Sequence, residues 1–221
     1  MIDFFVDIIL FLNKILFNNL GLTIIVLGTL TRLAFWPLFK SQMKHTKAMT
    51  DLKPKLDELK RRFKGDQKKQ LEEQSKLFKS YGINPLGGCL PTIVQFAVII
   101  LLYQVLFKLF KMNVNTSFLI WDLSKPDIFK ISSISFPIPG ILVILTAVAT
   151  FYQAKMMMPK PKAPTKDAGS DPMTMMSTQM VYLAPLMVLI FGTTFPSGLA
   201  LYWTTTTFLT IIQQYYLLRS K

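Results

Sequence analysis

The side chain with the clearest chemical role is that of Arg32, because it is charged and lies in an apolar segment. Residues 20–39 are apolar apart from Arg32, Thr and Gly. If this segment crosses a bilayer, a central guanidinium costs about 2.5–3.5 kcal/mol on insertion scales. Arg32 is about 12 Å from Lys40 at a helical rise of ~1.5 Å per residue, so snorkelling covers only part of that distance. A water-filled cavity around the charge is the better explanation.

This cavity needs small and polar neighbours, and the sequence supplies both. No acidic residue lies within any of the five apolar segments identified below, while Gly28 and Thr29 lie one turn from Arg32 on the same helix face. Polar side chains on other apolar segments that can line the same space are Gln95, Gln104, Gln153, Thr204, Thr205, Thr206, Thr207, Gln213 and Gln214. Thr and Gln also connect membrane helices by hydrogen bonds, so that alternative stays open.

The sequence has few residues that could carry out redox or metal chemistry. Cys89 is the only cysteine and His45 the only histidine. One Cys excludes an intramolecular disulfide, and one His excludes a His-rich metal site. We therefore expect no cofactor, no metal and no enzyme activity.

The composition is that of a membrane protein. Apolar residues make up 51% of the chain and charged residues only 17%, which exceeds the apolar content that a soluble core needs. The net charge of +13 could suggest nucleic acid, but 13 of the 25 basic residues lie between Lys40 and Lys79, beside apolar segments. Cytoplasmic retention and anionic lipid explain this clustering, so we expect no sequence-specific nucleic-acid binding.

Five apolar segments can span a bilayer, which needs about 20 apolar residues each. The 47 residues between Asp171 and Arg219 are uncharged and would extend roughly 70 Å as one helix, so they must fold back, and Pro196-Ser197-Gly198 is the available turn. The predicted spans are residues 20–39, 84–107, 131–154, 179–195 and 198–218.

The distribution of Lys and Arg predicts the orientation of these spans. Five of these residues lie on the side of the amino terminus and 19 on the other side, with Arg32 inside a span. The positive-inside rule therefore predicts an amino terminus outside and a carboxyl terminus in the cytoplasm.

Two segments are predicted to form helices outside the spans. Asp3, Asp7, Lys14 and Asn18 form one polar stripe along residues 1–17 and the position after them. This is typical of an outer interfacial helix at 1–17, with a disordered or clipped leader as the alternative. Residues 41–83 are predicted to form a cytoplasmic helical hairpin. Its apolar positions recur at helical spacing: Met49, Leu52, Leu56, Leu59, Phe63, Leu71, Phe78 and Tyr81.

Turn residues within the hairpin predict its details. Pro54 suits the first turn of its first helix, and Asp66, after Gly65, suits the cap of its second. The basic surface is either a solvated face with a topology signal or a docking surface for a ribosome, a targeting factor or an incoming chain.

A second cytoplasmic segment, residues 155–171, is rich in Pro, Lys and small residues and is predicted to be a mobile loop. Asp171 followed by Pro172 predicts that a helix restarts there. Met residues flank the loop and suit contact with apolar segments of many shapes, with lipid-facing filler as the alternative.

Three motifs, in this order, resemble the YidC/Oxa/Alb family of membrane protein insertases. They are Asn84-Pro85-Leu86-Gly87-Gly88-Cys89-Leu90-Pro91, then Phe195 to Trp203 (FPSGLALYW), then Ile211-Ile212-Gln213-Gln214. The resemblance covers nearly the whole chain. The sequence departs from the family pattern, since it shows neither the large outer domain of many Gram-negative members nor the lipoprotein Cys of many Gram-positive members. It also lacks the basic tail that helps some relatives hold ribosomes, so ribosome docking would fall on the hairpin or be weaker.

The resemblance implies an all-α membrane protein, with a core of 20–40 and 84–218 whose five transmembrane helices surround a hydrophilic groove open to the cytoplasm. It assigns to this groove an essential Arg, at Arg32, together with Gln95, Gln153, Tyr202 and Trp203. The expected function is that of an insertase that moves small membrane proteins from the cytoplasm into the bilayer of the bacterial inner membrane. The ribosome, a targeting factor and the general translocon are further candidate partners.

Two other classes of function remain as alternatives. A small-solute or ion transporter would also use an intramembrane charge, but the sequence has no intramembrane carboxylate relay and no detectable inverted repeat. A purely structural scaffold leaves Arg32 without a role.

Overall fold

The computed structural model describes residues 2–82, 90–112, 114–129, 137–157 and 172–219, and most of them are helical. The helices are α1 (Ile2–Ile15), α2 (Leu20–Ala34), α3 (Trp36–Arg62), α4 (Gln67–Ser80), α5 (Leu90–Leu109), α6 (Ile141–Met157), α7 (Pro172–Gly192) and α8 (Ser197–Arg219). Four short strands form two antiparallel pairs: β1 (Ser117–Phe118) with β2 (Trp121–Asp122), and β3 (Ile128–Phe129) with β4 (Ile138–Pro139). The expectation of an all-α fold is confirmed in its coarse form, since the described residues are mostly helical and the strands are short.

The chain forms two compact units. The first contains α1, α2, α6, α7, α8, the strands, and α5 from residue 97; the second contains α3, α4 and the start of α5. The motif of residues 84–91 lies mostly outside the described residues, as does the predicted mobile loop from residue 158 onward, including Asp171. The predicted restart of a helix at Pro172 is confirmed.

In the first unit, the contacts between helices show which of them run parallel and which run antiparallel. Along α2 and α8, Ile24 lies beside Gly198 and Arg32 beside Thr206, so these helices are parallel. Along α6 and α7, the contacts pair Val143 with Gly192 and Phe151 with Tyr182, so these two are antiparallel. α5 ends near the α7–α8 turn, where the rings of Tyr103 and Phe195 meet at 5.7 Å between centroids.

α1 leaves the bundle at a sharp angle. It makes an angle of 116° with α2, and Phe17 and Asn18 in the turn between them have φ of 58° and 54°. Buried Asn13 accepts a hydrogen bond from the Thr23 hydroxyl at 3.1 Å, which ties the two helices together. One face of α1 packs in the core, a second is exposed and apolar, and a third carries Asp3, whose carboxylate pairs with Lys108 of α5.

The hairpin of the second unit is helical, as predicted, and its turn follows the predicted chemistry. The Asp66 carboxylate accepts the Lys69 N–H at 3.1 Å, so Asp66 caps α4. The prediction that the first helix begins near Pro54 is wrong, because α3 begins at Trp36 and Pro54 lies in its interior. A proline there removes one helical hydrogen bond, but the burial of Leu52 and Leu56 on either side stabilises the helix across it.

Two predicted spans differ from the helices that form. The segment predicted at 20–39 is interrupted at Phe35, after α2 ends, and Pro37 takes a first-turn position of α3. The segment predicted at 131–154 contains strand β4 before α6 begins at Ile141. The absence of charged residues therefore locates an apolar segment, but it does not fix where a helix begins or ends.

Among the described residues, no helix alone combines the length and the hydropathy of a membrane span. The pair α1 and α2 meets both criteria together, with its 116° bend, and Ile93–Leu109, Ile141–Met157 and Val181–Gly192 are apolar helical stretches of shorter length.

Candidate functional site

The helices α2 and α8 approach closely at Gly28, which has no side chain to hold them apart. A Cβ built on Gly28 would lie 3.4 Å from the Thr205 methyl group and 3.5 Å from that of Thr206. An Ala would therefore make ordinary contacts, whereas a longer side chain would separate the helices. We call this contact the α2–α8 seam.

Arg32 lies in the last turn of α2, toward the end of the seam that is farther from Gly198. Its Nε donates to the backbone carbonyl of Thr206 at 3.3 Å. The same carbonyl accepts the hydroxyl of Thr210 at 2.6 Å. Tyr202 lies one turn before Thr206 on α8, and its hydroxyl is 3.4 Å from the hydroxyl of Thr31 on α2. The guanidinium is therefore positioned on a row of polar groups along α8.

This row is the buried polar face of α8. Its buried members are Thr204, Thr206, Thr207, Thr210, Gln213 and Gln214. Several Thr hydroxyls donate to carbonyls one turn earlier in α8, as Thr204 does to Ala200 at 2.8 Å. Thr204 also meets the Thr146 hydroxyl of α6 at 2.5 Å, so part of the face connects helices directly.

The amide groups at the end of the face differ from the hydroxyls. Gln214 is fully buried, and among the described residues neither its amide nitrogen nor its oxygen has a hydrogen-bond partner. The oxygen of Gln213 is in the same state. A buried polar group without a partner costs about 1–3 kcal/mol, so these amides are suited to receive water or another polar chain.

The predicted site residues divide between different surroundings. Gly28, Arg32 and Tyr202 meet in the α2–α8 seam. Thr29 donates its hydroxyl to the Ile25 carbonyl at 2.9 Å, within its own helix. Tyr202 is only 1% exposed and belongs to the core, whereas Trp203, rotated by about 100° on α8, lines a small apolar cavity with residues of α6 and α7.

Two predicted glutamines lie on other helices. Gln153 is half-buried on α6, and Gln95 lies on α5 within the second compact unit. The Gln95 amide nitrogen is buried, with no partner among the described residues. A place for Gln95 and Gln153 in the groove stays a prediction.

At the opposite end of the bundle lies a clamp that no sequence pattern predicted. The loop from 114 to 129 binds the α7–α8 turn through backbone hydrogen bonds, in which Ser197 N–H donates to Lys125 at 2.8 Å and Gly198 N–H donates to Leu123 at 3.0 Å. The Ser197 hydroxyl donates to the Asp122 carbonyl at 2.8 Å. The Pro-Ser-Gly motif therefore begins α8 and also receives this loop.

Two carboxylates organise the loop. Asp127 accepts the Leu142 N–H at 2.7 Å and the Val143 N–H at 3.2 Å, so it caps α6 from a distant part of the sequence, and it also accepts the Trp121 indole N–H at 3.0 Å. Asp122 accepts the Ser124 hydroxyl at 2.7 Å and pairs with Lys125 at 2.9 Å. The hydrogen bond from Ser124, then that from Lys125, lowers the pKa of Asp122 well below its usual range.

Comparison with known proteins identifies the family. The family described as 60Kd inner membrane protein matches residues 11–221. Membrane protein insertase MisCA of Bacillus subtilis is 33% identical over 201 residues, which cover 89% of this chain and 69% of that protein. Membrane protein insertase YidC 2 of Bacillus anthracis is 34% identical over 202 residues, covering 90% and 71%.

Other relatives are longer. Membrane protein insertase YidC of Syntrophobacter fumaroxidans is 34% identical over 209 residues, which cover 91% of this chain but 35% of that protein. The chain thus spans about a third of the length of that relative. The chain belongs to the 60Kd inner membrane protein family, and it is a helical protein of the bacterial inner membrane.

Proposed function

We propose that the protein is an insertase that moves small membrane proteins from the cytoplasm into the lipid bilayer. The observation that carries the proposal is the position of Arg32 on the buried polar face of α8, through its hydrogen bond to Thr206. The names of the relatives support the same activity, since they are called membrane protein insertases.

The proposed topology has five spans, formed by α2, α5, α6, α7 and α8, with the amino terminus outside. Two observations support it. α2, α6 and α8 are odd-numbered spans, and α2 runs parallel to α8 while α7 runs antiparallel to α6, as alternating spans require. The 13 basic residues between Lys40 and Lys79 then lie in the cytoplasm, in agreement with the positive-inside rule.

In the proposed mechanism, the short outer tail of a substrate enters a groove beside the α2–α8 seam. Arg32, the hydroxyls of α8 and the amides of Gln213 and Gln214 replace part of the hydration of the tail, which lowers the cost of moving polar groups across the membrane. The positive charge of Arg32 favours acidic groups. A membrane potential that is negative inside drives an acidic tail outward by about 2.3 kcal/mol per charge per 100 mV.

Completion of insertion needs no bond to form or break. Once the tail has crossed, transfer of the apolar substrate helix into lipid is favourable by the hydrophobic effect. The exposed apolar side chains of α6 and α7 suit a path along the lipid. They include Ile144, Val148, Tyr182 and Leu186.

The proposed partners are newly made small membrane proteins and the lipid bilayer. The cytoplasmic hairpin is the proposed contact for a ribosome or a targeting factor, because α4 has no buried residue and is rich in Lys. The general translocon is a further candidate partner.

The test is reconstitution of the full chain into vesicles with a radiolabelled single-span substrate. Protease protection of the substrate tail measures insertion, and an ion-sensitive dye in matched vesicles measures flux. We expect protected substrate without flux. Flux without protected substrate would instead identify a small-solute or ion transporter, and the absence of both would leave a structural scaffold.

A further inference from the structure

The hairpin of β1 and β2 ends in two exposed apolar side chains. Leu119 is 82% exposed and Ile120 is 75% exposed, between the paired residues Phe118 and Trp121. Between Lys111 and Asp122 the sequence carries no charge. The tip is therefore an apolar projection from a loop that is otherwise held by hydrogen bonds.

The backbone of the tip makes this composition costly. Leu119 has φ of 53°, in the left-handed region that Gly, Asn and Asp favour in two-residue hairpin turns. If the tip faced only water, Gly, Asn or Asp at this position would be more favourable than Leu. Apolar side chains at this position are explained if they have an apolar partner outside the chain.

The position of the hairpin indicates which partner. The Phe118 ring packs on Gly21, the second residue of α2, so a Cβ on Gly21 would overlap it. From the same end of α2, α1 departs at 116° and exposes Phe4 and Phe11, and Phe17 in the turn between the two helices is also exposed. The tip and the apolar face of α1 thus flank the end of α2 at which the outer leaflet begins in the proposed topology.

We propose that Leu119 and Ile120 insert into the outer leaflet of the bilayer and anchor the outer loop there. This inference rests on the topology given under the proposed function. Lipid is favoured over a protein partner because a specific protein interface needs about 1,000 Å² of buried surface, which two side chains do not supply. Aromatic residues such as Trp121 beside the tip are typical of the membrane interface.

The test places a fluorescent probe on the tip. In the full chain with Cys89→Ser, Ile120→Cys is labelled with NBD and reconstituted into phosphatidylethanolamine–phosphatidylglycerol vesicles that contain no other protein. The matched control is Ser117→Cys, an exposed position at the start of β1, two residues before the tip. We expect blue-shifted emission at 120, with quenching by nitroxide lipids, and weaker effects at 117.

A second variant separates loss of the anchor from misfolding. Leu119→Asn removes an apolar side chain but suits the left-handed backbone, so the probe at Ile120→Cys should shift toward aqueous emission while the fold is kept. Emission at 120 that is as aqueous as at 117 in these vesicles overturns the proposal. Shielding of the tip that appears only after a membrane-protein extract is added also overturns it, in favour of a protein partner.

The outcome is independent of the insertase activity, which is measured in the same vesicles with a single-span substrate. A chain that inserts substrate with an aqueous tip overturns only the anchor. A chain with a lipid-exposed tip that inserts no substrate overturns only the proposed function.

Discussion

Arg32 Nε donates to the backbone carbonyl of Thr206 at 3.3 Å, across the contact between the first and last helices of the bundle. The carbonyl also accepts the Thr210 hydroxyl. The side chain is therefore held against α8 through its Nε, at the base of the planar guanidinium. In the proposed function, the positive charge of this group acts on the tail of a substrate.

The first prediction concerns the charge of Arg32. Arg32→Lys should keep much of the insertion of substrates with acidic tails, because it keeps the charge, whereas Arg32→Ala should lose it. Loss of about 1.4 kcal/mol of interaction in the slow step corresponds to about tenfold in rate. Insertion is measured at equal membrane abundance with substrates that differ only in tail charge.

The uncharged-tail substrate is the control for Arg32, since it gains little from the field and should depend on Arg32 less. Failure of the Lys variant would indicate a need for the planar geometry of Arg. Equal insertion of the acidic-tailed substrate by wild type and Arg32→Ala would rule out a charge in the groove.

The second prediction tests the closeness of the α2–α8 seam. Gly28→Leu should force the helices apart and lower both stability, by about 1–3 kcal/mol for an overpacked contact, and insertion. Gly28→Ala is the matched control, because its Cβ would lie at 3.4 Å from the nearest methyl group. Thermal unfolding in detergent measures the difference, and a Leu variant as stable as the Ala variant would show that the seam is loose.

The apolar runs of the sequence predict where the helices of the bundle lie, because these helices carry apolar side chains along most of their length. Their ends are harder to predict, since they depend on distant residues. α6 begins at Ile141, and its cap is Asp127, which the sequence places 14 positions earlier. No local pattern contains that information.

The candidate site is predictable in part for the same reason. Composition identifies Arg32, and its contact with Thr206 joins segments at opposite ends of the chain. The family resemblance assigns Tyr202 and Trp203 to one groove, although adjacent helical positions face different neighbours. The first-turn position predicted for Pro54 is wrong because it follows the local preference of proline, whereas the helical spacing of Leu52 and Leu56 across Pro54 fits the continuous helix in which both are buried.

The third prediction concerns the distant cap of α6. Asp127→Ala should cost about 0.5–2 kcal/mol, the range for loss of an N-cap. Asp127→Asn should cost less, because one oxygen can still accept a hydrogen bond. Ser117→Ala, an exposed change in the same loop, is the control, and thermal unfolding together with Trp121 fluorescence should distinguish the variants. Unchanged unfolding of the Ala variant would mean that the cap contributes nothing.

The fourth prediction is that the clamp between the loop of residues 114–129 and the α7–α8 turn weakens in acid because of Asp122. Hydrogen bonds from Ser124 and Lys125 lower the pKa of this carboxyl in the folded protein. A lowered pKa means that its contribution to stability is fully present above the unfolded value, about 3.9, and is lost as pH falls through the folded value. Amide hydrogen exchange at Gly198, corrected for the intrinsic rate, should therefore be constant from neutral pH to about 5 and faster below about 4.

Asp122→Asn separates the charge from the hydrogen bonds, since its oxygen can still accept from Ser124 and Thr116. The variant should lose the acid dependence of exchange at Gly198, with a small change at neutral pH, because exposed ion pairs contribute only about 0–1 kcal/mol. Asp51→Asn, an exposed change in α3, should keep the wild-type profile. If wild type and Asp122→Asn respond alike to acid, the clamp depends on the backbone bonds of Leu123 and Lys125 to the α7–α8 turn and not on the Asp122 carboxylate.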